Sequence, residues 1–152
     1  KLASGGLRGL GASRDASQLT RLMEHATPAY TERHRAAAAG ALGTLADEVS
    51  EVRVEVVDCL IDMALNGGFR AKLAAISALG KVRDPRALGV LGRLHGAGGD
   101  GRVKRTAYEA MCAIREGRST EDALQGLRGS VEKLSDAQAK IRDRVDRLEP
   151  NS

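Results

Sequence analysis

Ala75-Ile76-Ser77-Ala78-Leu79-Gly80 is the stretch on which the fold turns, because the chain repeats it. Gly6-Leu7-Arg8-Gly9-Leu10-Gly11, Ala38-Ala39-Gly40-Ala41-Leu42-Gly43 and Ala107-Tyr108-Glu109-Ala110-Met111-Cys112 superimpose on it. The anchor positions Leu10, Leu42, Leu79 and Met111 follow one another at intervals of 32, 37 and 32 residues. Four residues before each anchor stands a small residue: Gly6, Ala38, Ala75 and Ala107. On a helix these two positions share one face, a turn apart, so a small side chain there lets a neighbouring helix come close. A period of this length is the mark of a stacked repeat, each copy one supersecondary unit.

Working outward, the flanks repeat as well. Nine residues before each anchor is a cation (Lys1, Arg33, Arg70, Arg102), and five after it an acid (Asp15, Asp47, Asp84, Glu116). Two columns of opposite sign read either as an ion-pair ladder between adjacent repeats, each exposed pair contributing only ~0–1 kcal/mol, or as solvated helix ends. The intervening segments read as partner helices. Asp84-Pro85 is a start signal, since Asp caps and Pro at the first position gives up an N–H that has no partner there anyway. Leu88, Leu91 and Leu94 follow as an apolar stripe. Asp15 is placed to cap a helix carrying Leu19, Leu22, Met23 and Ala26, and Val49, Val52, Val56, Cys59, Leu60 and Met63 mark another at helical spacing. Glycine-rich gaps at residues 66–68 and 96–101 punctuate the helices. One hairpin cannot bury its own apolar face; stacking buries it against the next. The fold class is therefore all-α, an α-α superhelix of helical hairpins over residues 1–117, closed by a C-terminal capping helix or helices and a tail over 118–152.

Composition agrees. With one Phe, two Tyr and no Trp in 152 residues, a core must be built from Leu, Val, Ile and Ala, which suits close-packed helices. No stretch sustains the alternation of a half-buried strand. The net charge of +4 is spread along the chain and does not by itself call for nucleic acid. No apolar run approaches the ~20 residues of a membrane span. Cys59 and Cys112 fall on apolar helix positions and read as buried free thiols, in keeping with a reducing, cytoplasmic setting. Lys1-Leu2-Ala3-Ser4-Gly5-Gly6-Leu7 runs straight into a helical pattern, so the chain reads as a piece of a longer protein.

The C-terminal segment departs from the repeat. Ser119-Thr120-Glu121-Asp122 reads as a helix start, a capping hydroxyl followed by acids that suit the helix dipole. Leu124 and Leu127 come next, with Gly129 expected to interrupt. Val131, Leu134, Gln138, Ile141, Val145 and Leu148 then alternate at spacings of 3 and 4, a short heptad seam. The expectation is a capping helix against the last repeat, with a dimer contact as the alternative.

Chemistry is sparse. His25, His34 and His95 stand at no metal-ligand spacing, and neither H-E-x-x-H, G-x-S-x-G nor a phosphate-binding glycine loop occurs. Glu55, Asp58 and Asp62 read as the solvated face of the helix carrying Val56 and Met63. We expect no catalytic, cofactor-binding or metal-ligating residue in this segment. The basic residues are the one candidate site: Arg33 and Arg35, Arg70 and Lys72, Arg102 and Lys104 recur at the start of the second helix of successive repeats, and stacking aligns them along one rim. Such a rim either solvates helix starts or binds anions. A nucleic-acid groove would also want aromatic platforms, and Tyr30, Phe69 and Tyr108 are too few.

Leu79-Gly80-Lys81-Val82-Arg83-Asp84-Pro85-Arg86-Ala87-Leu88 resembles the turn of a HEAT-like repeat, with acid-Pro joining two helices. More narrowly, Gly6–Gly11, Arg35–Leu42 and Ile141–Glu149 are similar to stretches of the C-terminal helical domain of bacterial aminopeptidase-N-like zinc metallopeptidases. That resemblance implies a scaffold that packs near a separate catalytic domain and shapes substrate access, with the zinc held elsewhere in the parent hydrolase. Its zinc motif and its G-x-M-E-N substrate motif are both absent here. The Asp-Pro-Arg-Ala-Leu turn also resembles free-standing repeat scaffolds of the phycobilin-lyase-like group, which implies an independent protein-binding module. The expected partner is thus either an upstream catalytic domain of the same chain or a separate protein, with no membrane.

Overall fold

The computed structural model describes residues 18–148; the features expected at Lys1, Gly6, Leu10 and Asp15 lie outside them. Six helices follow in order: α1 (Leu19–Ala26), α2 (Glu32–Glu48), α3 (Arg53–Asn66), α4 (Phe69–Val82), α5 (Leu88–Gly96) and α6 (Gly101–Leu148), with single 3₁₀ turns at Ser50–Val52 and Pro85–Ala87. There is no strand among the described residues. The chain divides into two compact units, Lys1–Glu116 and Gly117–Ser152, so residues 101–116 of α6 complete the first and 117–148 lie in the second.

In the first unit, α1/α2, α3/α4 and α5/α6 are three hairpins, and the repeat columns are its core. Ala38, Ala75 and Ala107 are wholly buried, as are Leu42 and Leu79. A further column seven residues after the small one, Leu45, Val82 and Ile114, is buried too. Met111 is half-buried, and Ile114 takes the anchoring role in the last hairpin. The first helices contribute Leu22, Leu60, Met63 and Leu91, all buried, while Leu88 and Leu94 are half-buried. Val90 and Ala87 share the inward side with Leu91, so the α5 stripe is rotated from the leucine positions alone.

The second helices meet through their smallest residues. A Cβ on Gly43 would lie 2.9 Å from the Ala78 methyl, and one on Gly80 3.0 Å from that of Ala110. Contacts at residues 32 with 71, 43 with 78 and 44 with 81 rise together, so α2 and α4 run parallel and nearly in register. This geometry undoes the expected ladder. Arg33 and Asp47 stand 14 residues apart on α2, and Arg102 and Glu116 on α6, about 21 Å at 1.5 Å per residue, while Asp84 lies just past the end of α4, opposite Arg70 at its start. Among the described residues, parallel stacking therefore gathers the cations of the columns at one end of the second helices and the acids at the other, too far apart to pair with each other across repeats.

Asp84 shows what the acid does instead. Its carboxylate accepts the Arg86 backbone N–H at 2.9 Å and the Arg86 guanidinium at 3.0–3.1 Å, capping the Pro85–Ala87 turn from which α5 grows. Arg83, just before it, ends α4 in the left-handed region at φ 58°, its N–H donating to the Leu79 carbonyl at 3.1 Å. Partial burial pushes the Asp84 carboxyl up, but the Arg86 hydrogen bonds and charge, helped by Arg53, outweigh it and hold the group below the usual carboxylate range. The stabilisation is then complete above the ordinary Asp value of about 3.9 and disappears as pH falls through the lower folded value. Asp84→Ala is expected to cost about 1 kcal/mol at neutral pH. Urea unfolding of the two proteins at pH 7 and in strong acid checks this: the gap should close in acid, and an equal gap at both would remove the cap from the account.

Residues 117–148 are helical throughout. The start expected at Ser119–Asp122 does not occur, and neither does the break at Gly129. A capping hydroxyl is useful only where the backbone N–H groups lack partners; here the preceding turn supplies them. An isolated helical Gly costs ~1 kcal/mol relative to Ala, which does not stop the helix. Leu124, Leu127, Val131, Leu134, Ile141, Val145 and Leu148 are all exposed.

Candidate functional site

Of the six rim cations, five lie at the surface and one does not. Arg35 is buried, 8% exposed. Its Nε donates to the Ala26 carbonyl at the end of α1 at 2.9 Å, and its guanidinium donates to Glu32 Oε1 at 3.2 Å. The other carboxylate oxygen of Glu32 accepts the Ala71 N–H at 3.1 Å, within the first turn of α4. Arg35 and Glu32 thus tie the end of α1 to the start of α4 through α2, satisfying backbone groups the helices cannot pair internally. A Cβ on Gly68 would collide with the Glu32 carboxylate, so the chain approaches the acid there as Gly. Arg35 leaves the rim for this reason: an arginine whose donors are committed inside the fold is structural.

Arg33, Arg70 and Arg102 are exposed, and Lys72 and Lys104 half-buried. The structure brings three of these together: Lys72, Lys104 and Arg102. Lys72, Lys104, Phe69, Leu94 and Val103 line a cavity of about 330 Å³, closed by the loop Ala97–Asp100. The Arg102 guanidinium carbon stands 6.0 Å from the centre of the Phe69 ring. Phe69, the chain's one phenylalanine, is 41% exposed. The loop acid Asp100 accepts the Arg102 N–H at 2.7 Å and so caps α6, and Gly99 takes a φ of +148° to turn the chain into it. The site has an apolar floor and a cationic mouth. It would hold an apolar side chain with a carboxylate beside it: burial rewards the first, and the lysines and arginine meet the second.

A second depression was not foreseen from the sequence. The outward rows of the second helices, Gly40, Ser77 and Glu109 with Thr44, Lys81 and Ala113, are small or polar and lie side by side. Between α4 and α6, Ser77, Lys81, Glu109 and Ala113 of these rows bound an open groove of about 550 Å³ that also includes Asp47, Arg83 and Thr106. Lys81 Nζ donates to the Thr44 hydroxyl at 2.9 Å, bridging adjacent repeats. The signal was in the repeat itself: two residues to either side of each anchor, it keeps a short or polar side chain.

The remaining reactive groups are placed quietly. Cys59 and Cys112 are free and half-buried, less enclosed than expected. Burial pushes the Cys59 thiol up, with Asp62 adding to this and Arg35 opposing it, so the thiol is protonated at neutral pH. His25, at the end of α1, packs on Tyr30 at 4.4 Å between ring centres; the His34 Nδ1 is 2.9 Å from the Thr31 hydroxyl; His95 lies 5.5 Å from Tyr108. Among the described residues no three His, Cys, Asp or Glu side chains converge as a metal ion would require. No described helix is long and apolar enough to cross a membrane.

A family model of HEAT repeats matches residues 19–112, well over half of the chain. Comparison with curated proteins gives no match, nor does comparison with solved structures. The matched span runs from the first described helix to the anchor of the last hairpin and takes in both buried Ala-Leu columns and the Asp-Pro turn between α4 and α5, and the chain belongs to the HEAT-repeat family.

Proposed function

We propose that this repeat unit is a non-catalytic scaffold that binds a protein partner, and that the partner inserts an apolar side chain flanked by acidic residues into the cavity at Phe69. The observation that supports this reading is the grouping of an exposed Phe, the Arg102 guanidinium over it, and Lys72 and Lys104 around one apolar floor. Aromatic residues and arginine are the side chains on which interface energy concentrates. Selection from a displayed random-peptide library tests it, because the library samples sequences without bias toward any one partner. Enriched peptides should carry an apolar residue next to Asp or Glu, and their binding should fall about tenfold or more in Phe69→Ala and in Lys72→Glu/Lys104→Glu, the loss on charge reversal shrinking at high salt. Peptides without acidic bias, or peptides that bind these variants as well as the parent, would rule the site out.

The narrower reading makes the partner an upstream catalytic domain of the same chain, the unit serving a zinc aminopeptidase by shaping access to its substrate cavity. It rests on the resemblance of Gly6–Gly11, Arg35–Leu42 and Ile141–Glu149. The coding sequence upstream of Lys1 decides it: an H-E-x-x-H segment there supports the reading, and its absence from the full-length gene removes it.

A further inference from the structure

Residues 117–148, taken alone, are a helix whose large apolar side chains are all exposed: Leu134 is 71% open to solvent and even Val145 is 48%. Because the helix is unbroken at Gly129, the seam starts at Leu124 and has eight positions: 124, 127, 131, 134, 138, 141, 145 and 148, spaced 3 and 4 throughout. That is more than three heptads, the length from which such a pattern signifies a coiled coil. Gly126 and Gly129 fall outside the seam, in open space.

The residues at the seam choose both the partner and its direction. One half of it is Leu124, Val131, Gln138 and Val145, the a positions; the other is Leu127, Leu134, Ile141 and Leu148, the d positions. Val131 and Val145 at a, with Leu127, Leu134 and Leu148 at d, are the β-branched and leucine choices that favour two parallel strands. Gln138 is the one polar member. In a parallel, in-register pair it meets its own counterpart, and two amides can donate to and accept from each other. Over the same seam run antiparallel, it would face Leu134 and be buried with no partner. The flanking charges agree. Antiparallel pairing sets Arg128 against Arg142 of the other strand, twice; parallel pairing sets Arg128 beside Ala123 and Arg142 beside Ala137. Like charges in apposition are penalised. The outward face is charged and self-sufficient, with Arg147 donating to Asp143 at 2.9 Å.

We infer that Leu124–Leu148 pairs with the same segment of a second copy of this chain as a parallel, in-register, two-stranded coiled coil. Resting on the scaffold reading proposed above, the HEAT-repeat chain is thereby two-headed, presenting its partner-binding surface twice.

Light scattering on the whole chain should give twice 16.0 kDa, at chain concentrations of about 100 μM and well below. Leu134→Asp should give the single-chain mass while the thermal unfolding of the repeat unit stays unchanged, since Leu134 lies outside that unit. Direction is read by cross-linking in a Cys59→Ser/Cys112→Ser background. Leu134→Cys alone should oxidise to a disulfide-linked dimer, whereas antiparallel strands would link Leu134→Cys chains to Gln138→Cys chains in a mixture in preference to either alone. A single-chain mass at the highest concentration, a trimer, or preferential mixed cross-linking would each overturn the inference.

Discussion

Leu79→Ala should destabilise the repeat unit by about 2–5 kcal/mol, the range for truncating a fully buried leucine, and lower its Tm by about 10 °C or more. Leu79 is wholly buried, and it belongs to the middle one of the three described hairpins, with a second helix on either side of its own. In a stack whose stability is a sum over repeats and the interfaces between them, a defect in a middle repeat weakens two interfaces at once. Met111, the corresponding residue of the last hairpin, is half-buried; Met111→Ala should cost distinctly less, about 1 kcal/mol, because part of the lost side chain was already in water. Denaturant unfolding of the two variants beside the parent measures the difference. Equal losses, or a Leu79→Ala protein with an unchanged midpoint, would mean that the columns are not aligned as described.

The same comparison shows how far the sequence could be read. The buried columns were visible because each is enforced by packing, and packing leaves a period: Ala38, Ala75 and Ala107 must be small whatever else changes. What the repeat could not convey is where copies differ in their neighbours. Arg35, Lys72 and Lys104 occupy one aligned position, yet only Arg35 turns inward. The difference lies three residues earlier, where the same alignment holds Glu32, Phe69 and Gly101. A carboxylate one turn away offers the guanidinium an ion pair inside the fold, whereas Phe69 and Gly101 do not, so the lysines stay at the cavity mouth. Capping motifs misled for a related reason. Ser119-Thr120-Glu121-Asp122 has the composition of a helix start, but composition does not say whether the preceding residues have already left helical geometry. The ion-pair ladder required the relative direction of successive second helices, a tertiary fact that no column of aligned charges contains. The cavity at Phe69 was hidden because its residues come from α4, α5 and the turn into α6, each unremarkable alone.

Two glycines three residues apart on α2 should respond to one substitution with opposite signs. Gly40 is exposed, with nothing within 4 Å of where a Cβ would stand. Gly40→Ala should therefore stabilise, by about 0.5–1 kcal/mol, through helix propensity and a less mobile unfolded chain. Gly43 is buried, and there a Cβ would meet the Ala78 methyl at 2.9 Å and the Ala78 Cα at 3.2 Å. Neither of those atoms belongs to a flexible side chain that could swing aside, so α2 and α4 must separate. Overpacking of this kind costs about 1–3 kcal/mol, enough to exceed the propensity gain. Gly43→Val adds two more methyl groups at the same point and should cost more still. A thermal-unfolding series on Gly40→Ala, Gly43→Ala and Gly43→Val should then rank them above, below and furthest below the parent. The double variant Gly43→Ala/Ala78→Gly supplies the decisive arm: if the close approach of α2 to α4 is what forbids the methyl at residue 43, removing the methyl at residue 78 should restore most of the loss beyond the cost of a second helical glycine, and a purely additive double variant would show that some other contact sets the spacing of the repeats.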